Sequence, residues 1–105
     1  MTLSEYIKYR LSAANMSQKE LAEKLKISSQ YLSDLLSDKR GKLISDELLY
    51  SIAKAIGCSY TKLFLLAGRL TPDVKVAVEK DIVKAEMYYN QFAWQIGVTN
   101  IIIED

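Results

Sequence analysis

Apolar residues recur every three or four positions through the first part of the chain, the spacing of amphipathic helices. This pattern predicts helices over about residues 3–14 and 18–25, and a third helix that begins after Ser28 or Ser29. The residues expected to face inward are Leu3, Ile7, Leu11, Ala14, Leu21, Ala22, Leu25, Leu32, Leu35 and Leu36. Three short helices with one apolar face each predict a helical core.

Helix-start signals support the first two of these elements. Thr2 precedes Glu5, and Ser17 precedes Glu20, by three positions. In this spacing the hydroxyl and the carboxylate can each accept a free backbone N–H at the start of a helix. The sequence therefore predicts helix starts immediately after Thr2 and Ser17.

Two further helices follow a basic segment at 39–42. Ser45 is expected to cap a helix that runs to Ile56 and ends at Gly57. Ser59 is expected to cap a shorter helix over about 60–67. Five short helices in about 68 residues leave little room for strands, so the predicted fold class is all-α, with a five-helix bundle first.

The C-terminal segment has a different pattern. Thr71-Pro72 resembles a helix start, and no helix breaker follows before Gly97, which predicts one long C-terminal helix of roughly 24 residues. Its apolar residues recur at spacings of 4, 3, 4, 3 and 4, as in a helix that packs along another helix. These residues are Val78, Ile82, Ala85, Tyr89, Phe92 and Ile96. We expect this stripe to dimerise with a second copy; the alternative is that it folds back on the five-helix core of its own chain.

Composition excludes several classes of function. Cys58 is the only cysteine and the chain has no histidine, so we expect no metal site and no cofactor. A charged N-terminus and the lack of 18 consecutive apolar residues predict a cytoplasmic protein without a membrane segment. No Gly-rich phosphate loop or nucleophile setting is recognisable, so we do not expect an enzyme.

Charge divides the chain into two parts. Residues 1–70 contain eleven Lys or Arg and seven Asp or Glu, a net charge of +4. Residues 71–105 contain three and six, a net charge of −3. The first part could therefore face phosphate and the second could not. We divide the chain into a basic part at 1–70 and an acidic segment at 71–105, made of the C-terminal helix and an apolar tail.

The second and third predicted helices are joined by only Lys26-Ile27-Ser28, and the outer face of the third helix is polar. Such a pair suits a helix-turn-helix, whose second helix enters the major groove. The segments MSQKELAEKLKISSQYLSDLLSDKR and SDELLYSIAKAIGCSYTKLFLL resemble the Cro/C1-type helix-turn-helix family of phage repressors and bacterial regulators. The resemblance covers about residues 3–68 and implies a lambda-repressor-like DNA-binding domain at 1–70. Because the family usually acts as dimers, the segment at 71–105 is expected to be a dimerisation segment. Lys26 stands where this family often has Gly, so it must adopt a left-handed or otherwise unusual conformation.

The resemblance also implies functional residues. Those at base-reading positions are Ser29, Gln30, Ser33 and Asp34. Those expected to contact the DNA backbone are Gln18, Lys19, Ser28, Tyr31, Lys39, Arg40 and Lys42, with Arg10 on the same face. A glutamine amide can pair with adenine, whereas a carboxylate can only accept, for example from cytosine. Asp34 therefore either reads cytosine or points away from DNA.

Function follows from this assignment. The family usually binds double-stranded DNA as a homodimer, and the expected function is sequence-specific transcriptional repression at a twofold-symmetric operator. Repression is favoured because it requires only binding. One alternative is a protein-interaction module, such as an antitoxin or phage regulatory partner, that captures a second protein through its C-terminal segment; another is a purely structural helical adaptor. The apolar, β-prone tail at 98–103 is expected to dock on a partner.

Overall fold

A computed structural model describes residues 1–98, which contain seven α-helices and no strand. The helices are α1 (Leu3–Ala13), α2 (Gln18–Leu25), α3 (Ser29–Ser37), α4 (Asp46–Ile56), α5 (Tyr60–Leu66), α6 (Pro72–Lys80) and α7 (Ile82–Gln95). The chain divides into two compact units: Met1–Leu70, with α1 to α5, and a second unit that begins at Thr71. None of the described helices is both long and apolar enough to cross a membrane. The all-α fold class is confirmed.

The first unit has one hydrophobic core to which all five of its helices contribute. Helix α2 packs against α3 and α4, and α4 packs against α5. The fully buried residues include Leu3, Ile7, Leu21, Leu32, Leu49, Ile52, Leu63 and Phe64. Leu25 is only partly buried. Ala14 was expected in this core but is exposed, because α1 ends at Ala13 and the next residues turn away.

Each helix of the first unit begins with a hydroxyl residue that accepts a backbone N–H three positions later. The acceptor hydroxyls belong to Thr2, Ser17, Ser28, Ser45 and Ser59. These bonds satisfy one of the free N–H groups that every helix start leaves. The two predicted capping boxes are incomplete, because the carboxylates of Glu5 and Glu20 accept from the cap hydroxyls themselves, at 3.1 and 3.3 Å.

The prediction of a single long C-terminal helix is wrong, because the segment forms two helices that meet at Asp81. Its backbone leaves the helical region, with φ −143° and ψ 77°, and its carboxylate accepts the N–H of Lys84 at 3.1 Å. An aspartate side chain competes in this way for backbone N–H groups and so favours a helix start over a helix interior. Val78 consequently lies on α6, whereas the rest of the predicted stripe lies on α7 or at its end.

Candidate nucleic-acid interface

The turn between α2 and α3 sets how the third helix is presented. Lys26 lies in the left-handed region, with φ 59° and ψ 40°, as its position in the motif requires. The N–H of Ile27 donates to the carbonyl of Ala22 at 3.0 Å, and that of Lys26 donates to Glu23 at 3.2 Å. This pair of bonds is a Schellman motif, which ends α2 and reverses the chain within two residues.

Helix α3 separates cleanly into a buried and an exposed side. Its leucines, Leu32, Leu35 and Leu36, are buried. All four predicted base-reading residues are exposed: Ser29, Gln30, Ser33 and Asp34. Within the first unit, α3 therefore packs on the core with its leucine side and exposes its polar side to solvent.

Two of the predicted base-reading residues are hydrogen-bonded to each other. The Gln30 side-chain amide Nε2 donates to Oδ1 of Asp34 at 2.9 Å. The Ser37 hydroxyl donates to the Asp34 backbone carbonyl at 2.6 Å, near the end of the helix. The Asp34 carboxylate thus remains on the exposed face of α3, beside Gln30.

The loop that follows α3 carries the predicted phosphate-binding cations and is held by Asp38. The Asp38 carboxylate accepts the backbone N–H of Arg40 at 3.2 Å and that of Lys42 at 2.8 Å. The side chains of Lys39, Arg40 and Lys42 are all exposed. Asp38, the first residue of the loop, therefore fixes the backbone from which the three cationic side chains project.

Helix α1 and Gly41 anchor the same loop to the core. The N–H of Ser4 donates to the Lys39 carbonyl at 3.1 Å, and the buried Ser4 hydroxyl donates to the Leu36 carbonyl at 2.7 Å. Gly41 is buried with φ +71°, and a Cβ there would collide with the Leu3 side chain. Only glycine fits this close approach without strain.

Arg69, at the other end of the first unit, also binds this loop. Its guanidinium donates to the carbonyls of Gly41 and Lys42, at 2.9 and 3.4 Å, and forms an ion pair with Asp46 at 3.0 Å. The fixed fork of an arginine side chain suits several acceptors at once. Arg69 therefore ties the cationic loop to the start of α4.

The other predicted backbone contacts lie at two helix starts. Gln18 is the first residue of α2 and is half-buried, and Lys19 beside it is exposed. At the start of α3, the Ser28 hydroxyl accepts the Tyr31 N–H at 3.0 Å, and the Tyr31 ring is half-exposed. The structure thus places these four residues at the amino ends of α2 and α3, where free N–H groups favour an anion.

Arg10 departs from the expectation that it adds to the DNA-facing surface. Its guanidinium donates to the Gly57 carbonyl at 3.0 Å and to the Ile56 carbonyl at 3.4 Å. These are free carbonyls at the end of α4, so Arg10 serves as a cap for that helix.

Sequence reasoning missed Asp38, Ser4 and Arg69 as residues that shape this surface. The signal for Asp38 was available, because aspartate before a turn often binds backbone N–H groups two or more residues later. No comparable local signal exists for Arg69, whose partners lie 23 to 28 residues away along the chain.

The residues of the predicted dimerisation stripe lie in the second unit. Ile82, Tyr89, Phe92 and Ile96 are each more than half exposed. Ala85 on α7 and Val78 on α6 are half-buried. The apolar side of α7 thus lies open over most of its length.

Comparison with known proteins identifies the first unit. A family model described as helix-turn-helix matches residues 7–63, more than half of the 105-residue chain. The chain belongs to the Cro/C1-type helix-turn-helix family. This family is a DNA-binding one, and this Cro/C1-type protein is accordingly a DNA-binding transcription regulator. No curated protein and no solved structure matched the chain significantly.

Proposed function

We propose that the protein is a sequence-specific transcriptional repressor that binds a twofold-symmetric operator as a homodimer. The observation that carries the proposal is the exposed polar side of α3, with Ser29, Gln30, Ser33 and Asp34 open to solvent. A helix of this kind fits the major groove, where base edges present distinct donors and acceptors. Repression needs only that such binding occlude a promoter.

Affinity and sequence reading are divided between different parts of the surface. Lys39, Arg40 and Lys42 bind phosphate from the loop, and Gln18 with Lys19 binds it at the start of α2. Tyr31 and Ser28 add contacts at the start of α3. Phosphate contacts fix the position of the protein on the duplex, whereas base contacts select the sequence. Four of these residues are cations, Lys19, Lys39, Arg40 and Lys42, and the phosphates that they neutralise would make the affinity fall steeply with salt.

Dimerisation is supported by the apolar surface of α7. One recognition helix covers only a few base pairs, so two copies are needed to span successive major grooves about 34 Å apart. Phe92 and Tyr89 belong to a stripe that is exposed in the single chain. Burying this stripe against a second copy removes a large apolar surface from water.

Binding measurements on the full chain test the DNA-binding surface. Duplexes selected from a random pool give the preferred site, and fluorescence anisotropy then compares Gln30→Ala and Arg40→Ala with the unchanged protein. We expect Gln30→Ala to lose discrimination between the selected site and random DNA, and Arg40→Ala to weaken binding to both. Lys54→Ala is a matched control, since Lys54 lies beside Lys24 and Lys26 at the carboxyl end of α2, away from the helix start that binds phosphate. Unchanged binding by both test variants would contradict the proposal.

Sedimentation of two charge variants tests the dimer interface. Phe92→Glu places a carboxylate within the predicted stripe, and Trp94→Glu places one on roughly the opposite side of α7, since successive residues turn by about 100°. Both side chains are exposed, so neither change should disrupt the single chain. The proposal predicts monomers for Phe92→Glu and dimers for Trp94→Glu. Dimers for both variants would remove this stripe as the interface.

A second candidate function is supported by a second apolar surface on the same helix. Val83, Met87 and Trp94 are 74%, 59% and 70% exposed and share the side of α7 that lies away from Phe92. A helix with two opposed apolar sides can pair with its twin on one side and bind another protein on the other, as an antitoxin or a phage regulator does. The predicted contribution of the tail after Val98 lies outside the described residues. Loss of partner capture on Trp94→Glu, with dimerisation intact, would support this function.

A further inference from the structure

The geometry points to Asp34 as a specificity-determining residue that acts through Gln30: it occupies one donor of the Gln30 amide and leaves that amide complementary to adenine. This inference rests on the proposed function, because it assumes that the exposed side of α3 enters the major groove. It rests on the hydrogen bond from Gln30 Nε2 to Asp34 Oδ1, at 2.9 Å between two exposed side chains.

The chemistry of the pair fixes the orientation of the amide. An ionised carboxylate only accepts hydrogen bonds, so the Gln30 amide must turn its nitrogen toward Asp34 and its oxygen away. The residues are four apart on a helix, which places them one above the other on the same face. Gln30 is therefore oriented before it meets DNA.

The remaining groups of the amide match one base. A glutamine amide has two N–H donors and one oxygen acceptor, and Asp34 occupies one donor. One donor and one acceptor remain, which is the pair that adenine requires at N7 and at its N6 amino group. Guanine presents two acceptors, N7 and O6, so the oriented amide would face O6 with its own oxygen. The pair thus selects adenine and rejects guanine.

The position of the Asp34 carboxylate strengthens the same discrimination. A carboxylate near guanine O6 and N7 is repelled by both acceptors, whereas it tolerates the amino group of adenine. The Ser37 hydroxyl is bound to the Asp34 backbone carbonyl and does not neutralise the carboxylate. An isolated pair of this type contributes little to helix stability, so loss of the pair should alter base selection without unfolding the protein.

Selection from a random duplex pool with the full chain tests the inference. We expect the unchanged protein to require adenine at one position in each half-site, and Gln30→Ala to lose that requirement. Asp34→Ala should retain the rest of the site but reduce the preference for adenine over guanine by about tenfold, within the range of one bidentate contact. Asp34→Asn should also weaken the preference for adenine, because an amide can donate as well as accept. Asp34→Glu keeps a carboxylate and should retain part of that preference.

Two further measurements distinguish this role from a general structural one. Circular dichroism should show that Asp34→Ala and Asp34→Asn have the same helix content and the same unfolding transition as the unchanged protein. The salt dependence of binding should also be unchanged, because no phosphate contact is removed.

Several outcomes would overturn the inference. Equal adenine preference in the unchanged protein, Asp34→Ala and Asp34→Asn would do so, as would a requirement for cytosine that only these two Asp34 variants lose. A general loss of affinity with unaltered base preference would assign Asp34 a structural role only. Failure of the unchanged protein to select any motif would instead overturn the proposed function itself.

Discussion

Arg69 Nη1 lies 3.0 Å from Oδ1 of Asp46, in an ion pair that joins the end of the first unit to the start of α4. The same guanidinium donates to the carbonyl of Gly41 at 2.9 Å. One side chain at the end of the helical bundle therefore holds the loop that presents Lys39, Arg40 and Lys42. The shape of the proposed phosphate-binding loop depends on a residue far from it in the sequence.

Replacement of Arg69 should lower both stability and DNA affinity. Arg69→Ala removes a partly exposed ion pair and hydrogen bonds to two loop carbonyls, and we expect a loss of about 1–2 kcal/mol in the free energy of unfolding. Arg69→Lys keeps the charge but not the fork, and should recover only part of this loss. Urea unfolding measures the free energy of unfolding, and fluorescence anisotropy of a labelled duplex titrated with protein measures the DNA affinity. Full recovery by lysine would show that charge alone matters.

The left-handed conformation of Lys26 predicts a stabilising substitution. Lys26 and Gly57 have nearly the same backbone angles, φ 59° and ψ 40° against φ 68° and ψ 39°. Both follow the same type of helix end, since Cys58 N–H donates to the Ala53 carbonyl as Ile27 does to Ala22. Lys26→Gly should raise the free energy of unfolding by up to about 1 kcal/mol, because a residue with a Cβ is strained in this region.

The reciprocal change serves as its control. Gly57→Ala should lower the free energy of unfolding by about 1 kcal/mol through backbone strain alone, since a Cβ there would meet no atom within 4 Å. Urea unfolding of both variants measures the effects. Changes of the same sign in the two variants would contradict the argument from backbone conformation.

Cys58 should react slowly at neutral pH. Partial burial raises the pKa of the Cys58 thiol, although the nearby charge of Arg10 opposes this shift. Because the thiolate is the nucleophile, a raised pKa leaves less of the reactive form at pH 7 than in an unfolded chain. Alkylation should therefore be slower in the folded protein than in urea, and should accelerate as the pH rises through and above the ordinary thiol range. Equal rates in both states would contradict this expectation.

Much of the fold could be predicted from the sequence because its signals are local. The cap residues and the apolar spacing predicted the bounds of α1 to α5 to within a residue or two. The motif also predicted an unusual backbone conformation at Lys26, which is left-handed in the structure. The break at Asp81 was missed because Thr71-Pro72 and the apolar stripe favoured one continuous helix, whereas the side chain of Asp81 favours a new start.

The candidate site was less predictable than the fold. Spacing places Gln30 and Asp34 on one face, but only the structure shows that the two side chains are hydrogen-bonded to each other. The role of Arg69 depends on contacts between distant parts of the chain, and periodicity carries no information about these. The base-reading and backbone assignments stay predictions.

The central claim is that the exposed side of α3, the start of α2 and the loop at 39–42 form one DNA-binding surface. Amide chemical shifts of the full ¹⁵N-labelled chain, titrated with its selected duplex, test this claim most directly. We predict the largest changes at residues 17–19, 28–34 and 39–42, with the rest of the first unit little affected. Changes confined to α4, α5 or the second unit, with α3 silent at saturating duplex, would contradict it.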